Sequence, residues 1–333
     1  MLFRSGDARR RSFVNDSILS GGFVELAVTT RSGRDESIHH GVVVALERDG
    51  SIAFAAGDPS LAIFPRSSTK PIQATAMVAS GLSLPPRLLA LVCASHDGRP
   101  EHLQGAREIL ASANLTEAAL ANTADYPLDD DAAHAAIAAG LRKSPLQMNC
   151  SGKHSGMLAT CVHNGWAHDA SYLHVDHPLQ RRITEMVPEM TGEEAAYIAV
   201  DGCGAPAHAL SLAGLARAFR HVATSPEGSP ARIVGDAMRS HPRMVGGPTR
   251  DVTLLMEGVP GLVGKDGAEG VFAVGLPDGR AVALKVADGA NRARPPLMKW
   301  ALERLGVDVA AVDPSAFSSP VFGHGEVVGD VRV

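Results

Sequence analysis

The spacing of apolar residues changes twice along the chain, and the two changes divide it into three parts. Between residues 21 and 64, short apolar runs at 23–28, 40–46 and 52–56 predict strands. The last two runs are separated by Arg48-Asp49-Gly50, and Asp-Gly is a strong hairpin signal. From residue 71 to 245 the pattern becomes helical and rich in alanine. The clearest predicted helices are 71–80, 86–93, 101–113, 132–141, 156–163 and 206–223.

Strands return towards the C terminus. Runs at 268–276 and 281–286 flank a second Asp-Gly turn, a helix is predicted at 295–305, and 325–333 alternates like an edge strand. Strands from both chain ends around a helical middle predict an α+β fold, with one antiparallel sheet and a large helical insertion packed beside it. The predicted organisation is a flexible tail and one domain that has a sheet part and a helical part. The boundaries are 1–20 for the tail, 21–333 for the domain, 21–70 and 246–333 for the sheet part, and 71–245 for the helical part.

Composition and charge exclude several classes of protein. The chain has 333 residues, of which 45% are hydrophobic, and a net charge of −5, so it lacks the basic surface expected of a nucleic-acid-binding protein. No apolar run approaches the roughly 20 residues that a membrane-spanning helix needs. Four cysteines are too few for a disulfide framework in a chain of this length, and no signal peptide is recognised. We therefore expect a cytoplasmic protein.

A possible nucleophile lies in the segment 66–70. If a helix begins at Ser67, the amine of Lys70 lies one turn later on the same face. Pro71 is tolerated there only in the first turn of a helix, where the positive end of the helix dipole also favours a developing alkoxide. Ser-x-x-Lys is short and common, so Ser67 is equally explained as a helix cap and Lys70 as a solvated side chain.

Two cysteines stand among glycines and polar residues rather than in apolar runs. Cys150 is followed three residues later by Lys153, and Cys203 lies in an Asp-Gly-Cys-Gly turn. Two soft sulfur ligands suit zinc, and a lysine, histidine or aspartate would complete the set. The alternative is a pair of buried free thiols. Cys93 and Cys161 lie in apolar helical runs, and we assign them to the core.

Two further segments contain reactive side chains whose role cannot be assigned from the local sequence. Ser95 is followed directly by His96, but sequence neighbours rarely face each other in a catalytic triad. Lys265 is framed by glycines just before a predicted strand, which would permit a ligand to approach closely. The alternative is an ordinary turn lysine.

Taken in order, these segments and others resemble one family from about Val24 to the C-terminal part of the chain. The matching segments are 66–73, 93–96, 149–158, 176–180, 201–203, 241–245 and 263–265. Together they resemble the rhizobial-type, or class 3, L-asparaginases. That resemblance implies a fold similar to the serine β-lactamases and penicillin-binding proteins. It also implies hydrolysis of L-asparagine to L-aspartate and ammonia through an acyl-enzyme.

The resemblance also implies roles for four residues at the reacting centre. Ser67 with Lys70, and Ser95 with Lys265, match two serine–lysine tandems. Lys70 is expected to take the proton of Ser67, which attacks the side-chain amide. Ser95 and Lys265 are then expected to deliver a proton to the leaving ammonia.

A zinc site is the second implication. Cys150, Lys153 and Cys203 match the zinc ligands of the family. We expect one Zn²⁺ per chain that positions substrate or holds the two cysteine loops together, because the serines already supply a nucleophile. The family also implies a homodimer.

Substrate-binding residues are assigned more loosely. Arg66 and Asp201 are interpreted as ligands of the α-carboxylate and the α-ammonium, with His96 beside them. The chain departs from many relatives at 97–100, where it has Asp-Gly-Arg-Pro, and the segment between Lys70 and Ser95 is short. Two alternatives remain, namely a β-lactamase-like serine hydrolase that acts on another amide or ester, and a catalytically inactive metal-binding relative. Both serines and both lysines argue against the second.

Overall fold

The computed structural model describes residues 21–333, so the predicted flexible tail at 1–20 lies outside the described residues. The described strands are β1 (Val24–Arg31), β2 (Arg34–Leu46), β3 (Ile52–Ala56), β4 (Ala62–Ile63), β5 (Tyr197–Val200), β6 (Pro206–Ser211), β7 (Val263–Gly267), β8 (Val271–Gly275), β9 (Ala281–Val286), β10 (Val321–Gly323), β11 (Glu326–Gly329) and β12 (Val331–Arg332). The described α-helices are α1 (Lys70–Ala79), α2 (Pro86–Val92), α3 (Pro100–Ser112), α4 (Asp130–Ala138), α5 (Ser151–His163), α6 (Pro178–Thr191), α7 (Leu212–Thr224), α8 (Pro230–Ser240), α9 (Pro242–Gly246), α10 (Asp251–Gly258) and α11 (Arg294–Arg304).

The main sheet is antiparallel and takes its strands from both ends of the chain. Its order is β12-β1-β2-β9-β8-β7, and β3 pairs with β2. Both predicted hairpins form, and their glycines Gly50 and Gly279 adopt the positive φ angles of 93° and 95° that Asp-Gly turns require. The predicted α+β fold, with a sheet from both termini and a helical insertion between β3 and β7, is confirmed.

Helices cover both faces of the sheet. On one face, Leu215 and Phe219 of α7 pack against Val42 and Val44 of β2 in a small separate core. On the other face, the main core begins at the sheet, takes in α11 and continues without a break into the helical insertion. The insertion is therefore packed as part of one folded body, and the predicted boundaries at 70/71 and 245/246 remain a prediction.

Three element predictions are wrong in detail. Residues 206–211 form strand β6, which lies between β4 and β5 in a second sheet, and a helix begins only at Leu212. Helix α7 begins at this point because Ser211 is its N-cap: the Ser211 hydroxyl accepts a hydrogen bond from the amide of Gly214. Lys265 lies inside β7 rather than before a strand. The C-terminal segment 325–333 contains two strands, of which β12 extends the main sheet beside β1.

Strand β7 at the open edge of the sheet positions the candidate site. The 3₁₀-helix Arg66–Thr69 crosses this strand directly before α1. Gly267 permits the crossing, because a Cβ atom at that position would lie 2.2 Å from the carbonyl oxygen of Pro65. Among residues 21–333, no helix has the length and apolarity needed to cross a bilayer.

Candidate functional site

A polar pocket of about 450 Å³ opens between β7, the 3₁₀-helix and the loop that follows α2. Its lining includes both serines singled out from the sequence, Ser67 and Ser95, together with Asp97, Arg250 and Asp266. Two other pockets, of about 620 and 670 Å³, are larger. Neither is lined by a site residue predicted from the sequence, so chemistry rather than volume identifies the candidate site.

Ser67 stands in this pocket on a strained turn. The preceding residue, Arg66, adopts a left-handed backbone conformation with a φ angle of 54°, which costs energy for a residue other than glycine. The Arg66 side chain is tied down by an ion pair, with its Nε 2.7 Å from Asp201 Oδ1. Within residues 21–333, neither the hydroxyl nor the amide of Ser67 has a hydrogen-bond partner. The turn therefore holds both groups free on the pocket wall.

Lys70 is buried beneath the pocket and touches three groups. Its Nζ donates a short hydrogen bond to the carbonyl oxygen of Ala94 and lies 3.2 Å from Ser95 Oγ and 3.1 Å from Cys150 Sγ. The Lys70 amine therefore contacts the hydroxyl of Ser95 directly.

The structure pairs these side chains differently from the sequence prediction. Within residues 21–333, no hydrogen bond joins Ser67 to Lys70 or Ser95 to Lys265, because Lys70 reaches the loop after α2 rather than back along its own helix. Lys265 is fully buried, and its Nζ donates to the carbonyl oxygen of Asp266 at 2.7 Å and to Asp266 Oδ1 at 2.6 Å. Both serines face one pocket, and one lysine, Lys70, touches one of them.

Lys265 is the anchor of a charged network behind the pocket. Arg250 pairs with Asp266 and also donates from Nη1 to the carbonyl oxygen of Ser95 at 2.6 Å. Burial lowers the pKa of Lys265 to about 8, and the charges of Lys70 and Arg250 add to the shift while Asp266 opposes it. The network fixes the backbone of Ser95 relative to β7.

The three residues assigned to substrate binding do not line the pocket. Arg66 and Asp201 are paired with each other, so their charges are already matched. His96 is completely buried, with Nε2 2.8 Å from Ser151 Oγ and its ring stacked on His102. Burial, followed by the charges of His102 and Lys70, holds the pKa of His96 well below its usual value. His96 therefore joins the loop after α2 to the start of α5 as a neutral residue.

The predicted zinc ligands do come together. Cys150 precedes α5, Lys153 lies in its first turn, and Cys203 lies in the turn between β5 and β6. Lys153 Nζ is 3.1 Å from Cys203 Sγ. All four cysteines of the chain are buried free thiols, so burial does not distinguish this pair from Cys93 and Cys161.

Their neighbours do distinguish the two cysteines. Cys150 Sγ donates a hydrogen bond to Asn149 Oδ1 at 3.1 Å. The neighbouring Cys150 thiol, with Lys153 and His154, lowers the pKa of Cys203. The neighbouring Cys203 sulfur and burial raise the pKa of Cys150. Burial opposes the Lys153 ammonium, but the charges of Cys203 and Cys150 raise its pKa overall.

Cys150, Lys153 and Cys203 can hold a metal ion only if the Lys153 amine is one of its ligands. Within residues 21–333, no group of three or more histidine, cysteine, aspartate or glutamate side chains is placed to hold a metal ion. The pair Cys150 and Cys203 supplies two sulfurs, and the Lys153 amine, 3.1 Å from Cys203 Sγ, is the predicted third donor. The donor set therefore fits the predicted trio and adds no further ligand.

Several pocket residues were missed by reasoning from the sequence. Asp266 stands next to Lys265, and this adjacency was an available signal. Arg250, Asp129 and Arg294 line the pocket but belong to no motif, and their position depends on the packing of distant segments.

The sequence and the fold of this chain were compared with those of known proteins. A family model described as L-asparaginase II matches residues 27–333. A solved beta-lactamase structure from Mycobacterium bovis is similar over 80% of this chain and 94% of that chain, with 18% sequence identity and a TM-score of 0.43. Among curated proteins no match was found.

Proposed function

The chain belongs to the L-asparaginase II family, and from that premise we propose that it hydrolyses the side-chain amide of L-asparagine to L-aspartate and ammonia. The observation that carries the proposal is the shared pocket of Ser67 and Ser95, with the Lys70 amine 3.2 Å from Ser95 Oγ. A serine nucleophile with a buried amine as its base suits acyl transfer through a serine ester, and the second hydroxyl can relay the proton between them.

In the first step Ser67 is the nucleophile. Its hydroxyl has no hydrogen-bond partner among the described residues and faces the pocket from a strained turn. The proton of Ser67 passes to Ser95 Oγ as the proton of Ser95 passes to Lys70, and Ser67 Oγ bonds to the amide carbon. The free amide N–H of Ser67 is placed to donate a hydrogen bond to the oxyanion that forms.

Breakdown of the tetrahedral intermediate reverses the proton path. The carbon–nitrogen bond breaks as Lys70 returns its proton through Ser95 to the departing ammonia. Water then attacks the ester carbon, gives its proton to the same pair, and releases L-aspartate as Ser67 recovers its hydrogen. Lys265, Asp266 and Arg250 act as positioning residues in this scheme, since they hold the backbone of Ser95.

A zinc ion held by Cys150, Lys153 and Cys203 is a further part of the proposal. When bound, it would supply a positive charge that holds the two cysteine loops together near the pocket. Cys150 also lies 3.1 Å from the Lys70 amine, so removing this thiol would disturb the base as well as the metal. The zinc content of the variants therefore tests the metal site more directly than their activity does.

We expect close to one zinc per chain in the purified protein, measured by atomic emission. Cys150→Ser and Cys203→Ser should each lose it, because each removes one of two sulfur ligands. Cys93→Ser and Cys161→Ser are matched controls, since both thiols are equally buried but lie away from Lys153. Equal zinc content in all four variants would contradict the assignment.

The proposed reaction is tested by incubating the protein with L-asparagine, L-glutamine and a chromogenic β-lactam. We expect ammonia from L-asparagine at the highest kcat/KM and no opening of the β-lactam. Hydrolysis of the β-lactam without ammonia from either amide would instead favour a serine hydrolase of another specificity. A cytoplasmic homodimer completes the proposal, and light scattering of the purified protein tests its dimeric state.

A further inference from the structure

Asp97 is a buried carboxylate at the edge of the candidate site. It lies two residues after Ser95, lines the same pocket and is 2% exposed. Within residues 21–333, its Oδ2 has no hydrogen-bond partner. The residue stands in the loop segment Asp97-Gly98-Arg99, between α2 and α3. A buried polar atom without a partner is costly unless a water or a ligand satisfies it.

The nearest protein groups leave this carboxylate incompletely paired. Oδ2 rests on the backbone of Gly247, where a Cβ atom would lie only 1.7 Å from it. Arg99 is the nearest cation, but its Nε is 3.9 Å from Asp97 Oδ2 and its Nη2 is 3.7 Å from Asp129 Oδ2. Both distances exceed hydrogen-bond length, and the Arg99 Nε is itself buried without a partner.

The loop that carries Asp129 is held against Asp97. The amide of Asp129 donates to the carbonyl oxygen of Asp97 at 3.2 Å, and Asp129 Oδ1 caps α4 by accepting from Ala132. Asp130 lines the pocket beside them. Asp97 and Asp129 thus share one guanidinium that reaches neither of them closely. Arg250 and Arg294 in the same pocket are already paired with Asp266. The unmatched charge at this part of the pocket is negative.

We propose that Asp97, with Asp129, binds the α-ammonium group of the amino-acid substrate. This inference rests on the proposed function, and it assigns to these two carboxylates the role that the sequence suggested for Asp201. An ammonium group brings three donors, which suits a carboxylate that lacks a partner.

The subsite should be sensitive to mild acid. Burial raises the pKa of Asp97 to about 6; the charges of Asp129 and Asp266 act in the same direction, and those of Arg250 and Arg99 oppose it. An ammonium ligand needs the ionised carboxylate, so binding is full above this pKa and weakens as pH falls through it. Substrate affinity should therefore fall near pH 6, and Asp97→Asn should remove this part of the pH dependence.

The test compares L-aspartate with succinate, which differs from it only by lacking the ammonium group. We expect calorimetry at pH 7.5 to show that the wild-type protein prefers L-aspartate, and that Asp97→Asn weakens L-aspartate binding roughly 10- to 100-fold without weakening succinate binding. Asp131→Asn is the matched control, because it removes the same charge from the first turn of α4, beside Asp129, but Asp131 does not line the pocket. It should leave both affinities unchanged.

Equal binding of the two ligands by the wild-type protein would overturn the proposal, and so would an equal loss of both in Asp97→Asn. Failure of the reaction is a separate result. If L-asparagine yields no ammonia while L-aspartate is preferred through Asp97, the subsite stands and the proposed hydrolysis falls. If ammonia is released but the preference is absent, the hydrolysis stands and the subsite falls.

Discussion

Replacing Ser67 with alanine is expected to abolish release of ammonia from L-asparagine while the protein stays folded. The hydroxyl has no hydrogen-bond partner within residues 21–333, so its loss breaks no internal contact there. The reaction, in contrast, loses the atom that becomes esterified. Ammonia release under saturating substrate, together with urea unfolding, measures both effects.

Ser68→Ala is the matched control for that experiment. Ser68 is the next residue, but its hydroxyl is buried and donates to the carbonyl oxygen of Lys265 at 3.0 Å. This variant should lose about 1 kcal/mol of unfolding free energy and keep most of its activity. Near-normal turnover in a folded Ser67→Ala protein would move the nucleophile to Ser95.

Lys70→Met should lower turnover by at least about 100-fold, because it keeps the apolar stem and removes the proposed base. It also leaves the carbonyl oxygen of Ala94 and the groups of Ser95 and Cys150 without their amine, so some stability is lost as well. Single-turnover measurements of acylation, with urea unfolding in parallel, separate the chemical effect from the structural one.

Lys285→Met provides the comparison for this loss of stability. Lys285 is also a buried lysine, and its Nζ donates to the carbonyl oxygens of Glu269 and Val286 away from the pocket. We expect a comparable decrease in stability with little change in turnover. If both variants lose activity to the same degree, Lys70 serves structure rather than proton transfer.

Much of the fold follows from local patterns in the sequence. The Asp-Gly turns at 49–50 and 278–279 form because glycine accepts a positive φ there, and the flanking apolar runs become strands of the sheet. Residues 206–211 were misjudged because a short buried run of Pro, Ala and Leu fits a helix or a strand equally well. In the folded protein the segment is a strand because it pairs with β4 and β5.

The residues of the candidate site could likewise be predicted from the sequence only in part. Ser67, Lys70, Ser95 and the trio of Cys150, Lys153 and Cys203 were singled out from the sequence, and the structure brings them close together. The contacts predicted for Lys265, Arg66 and Asp201 differ from those in the structure. Lys265 was expected beside Ser95, but it donates to Asp266 instead. Arg66 and Asp201 were expected at the substrate, but they pair with each other.

By itself, then, the sequence determined the fold class, the family and the residues that carry chemistry, because turn residues, periodicity and ordered motifs are local properties of the chain. The tertiary structure decided which side chains meet. Lys70 meets Ser95, 25 positions away in sequence. Asp97 Oδ2 has no hydrogen-bond partner among the described residues and lies against Gly247, which is distant in sequence. Such contacts depend on how the helical insertion packs on the edge strand β7, and no spacing along the chain encodes that arrangement.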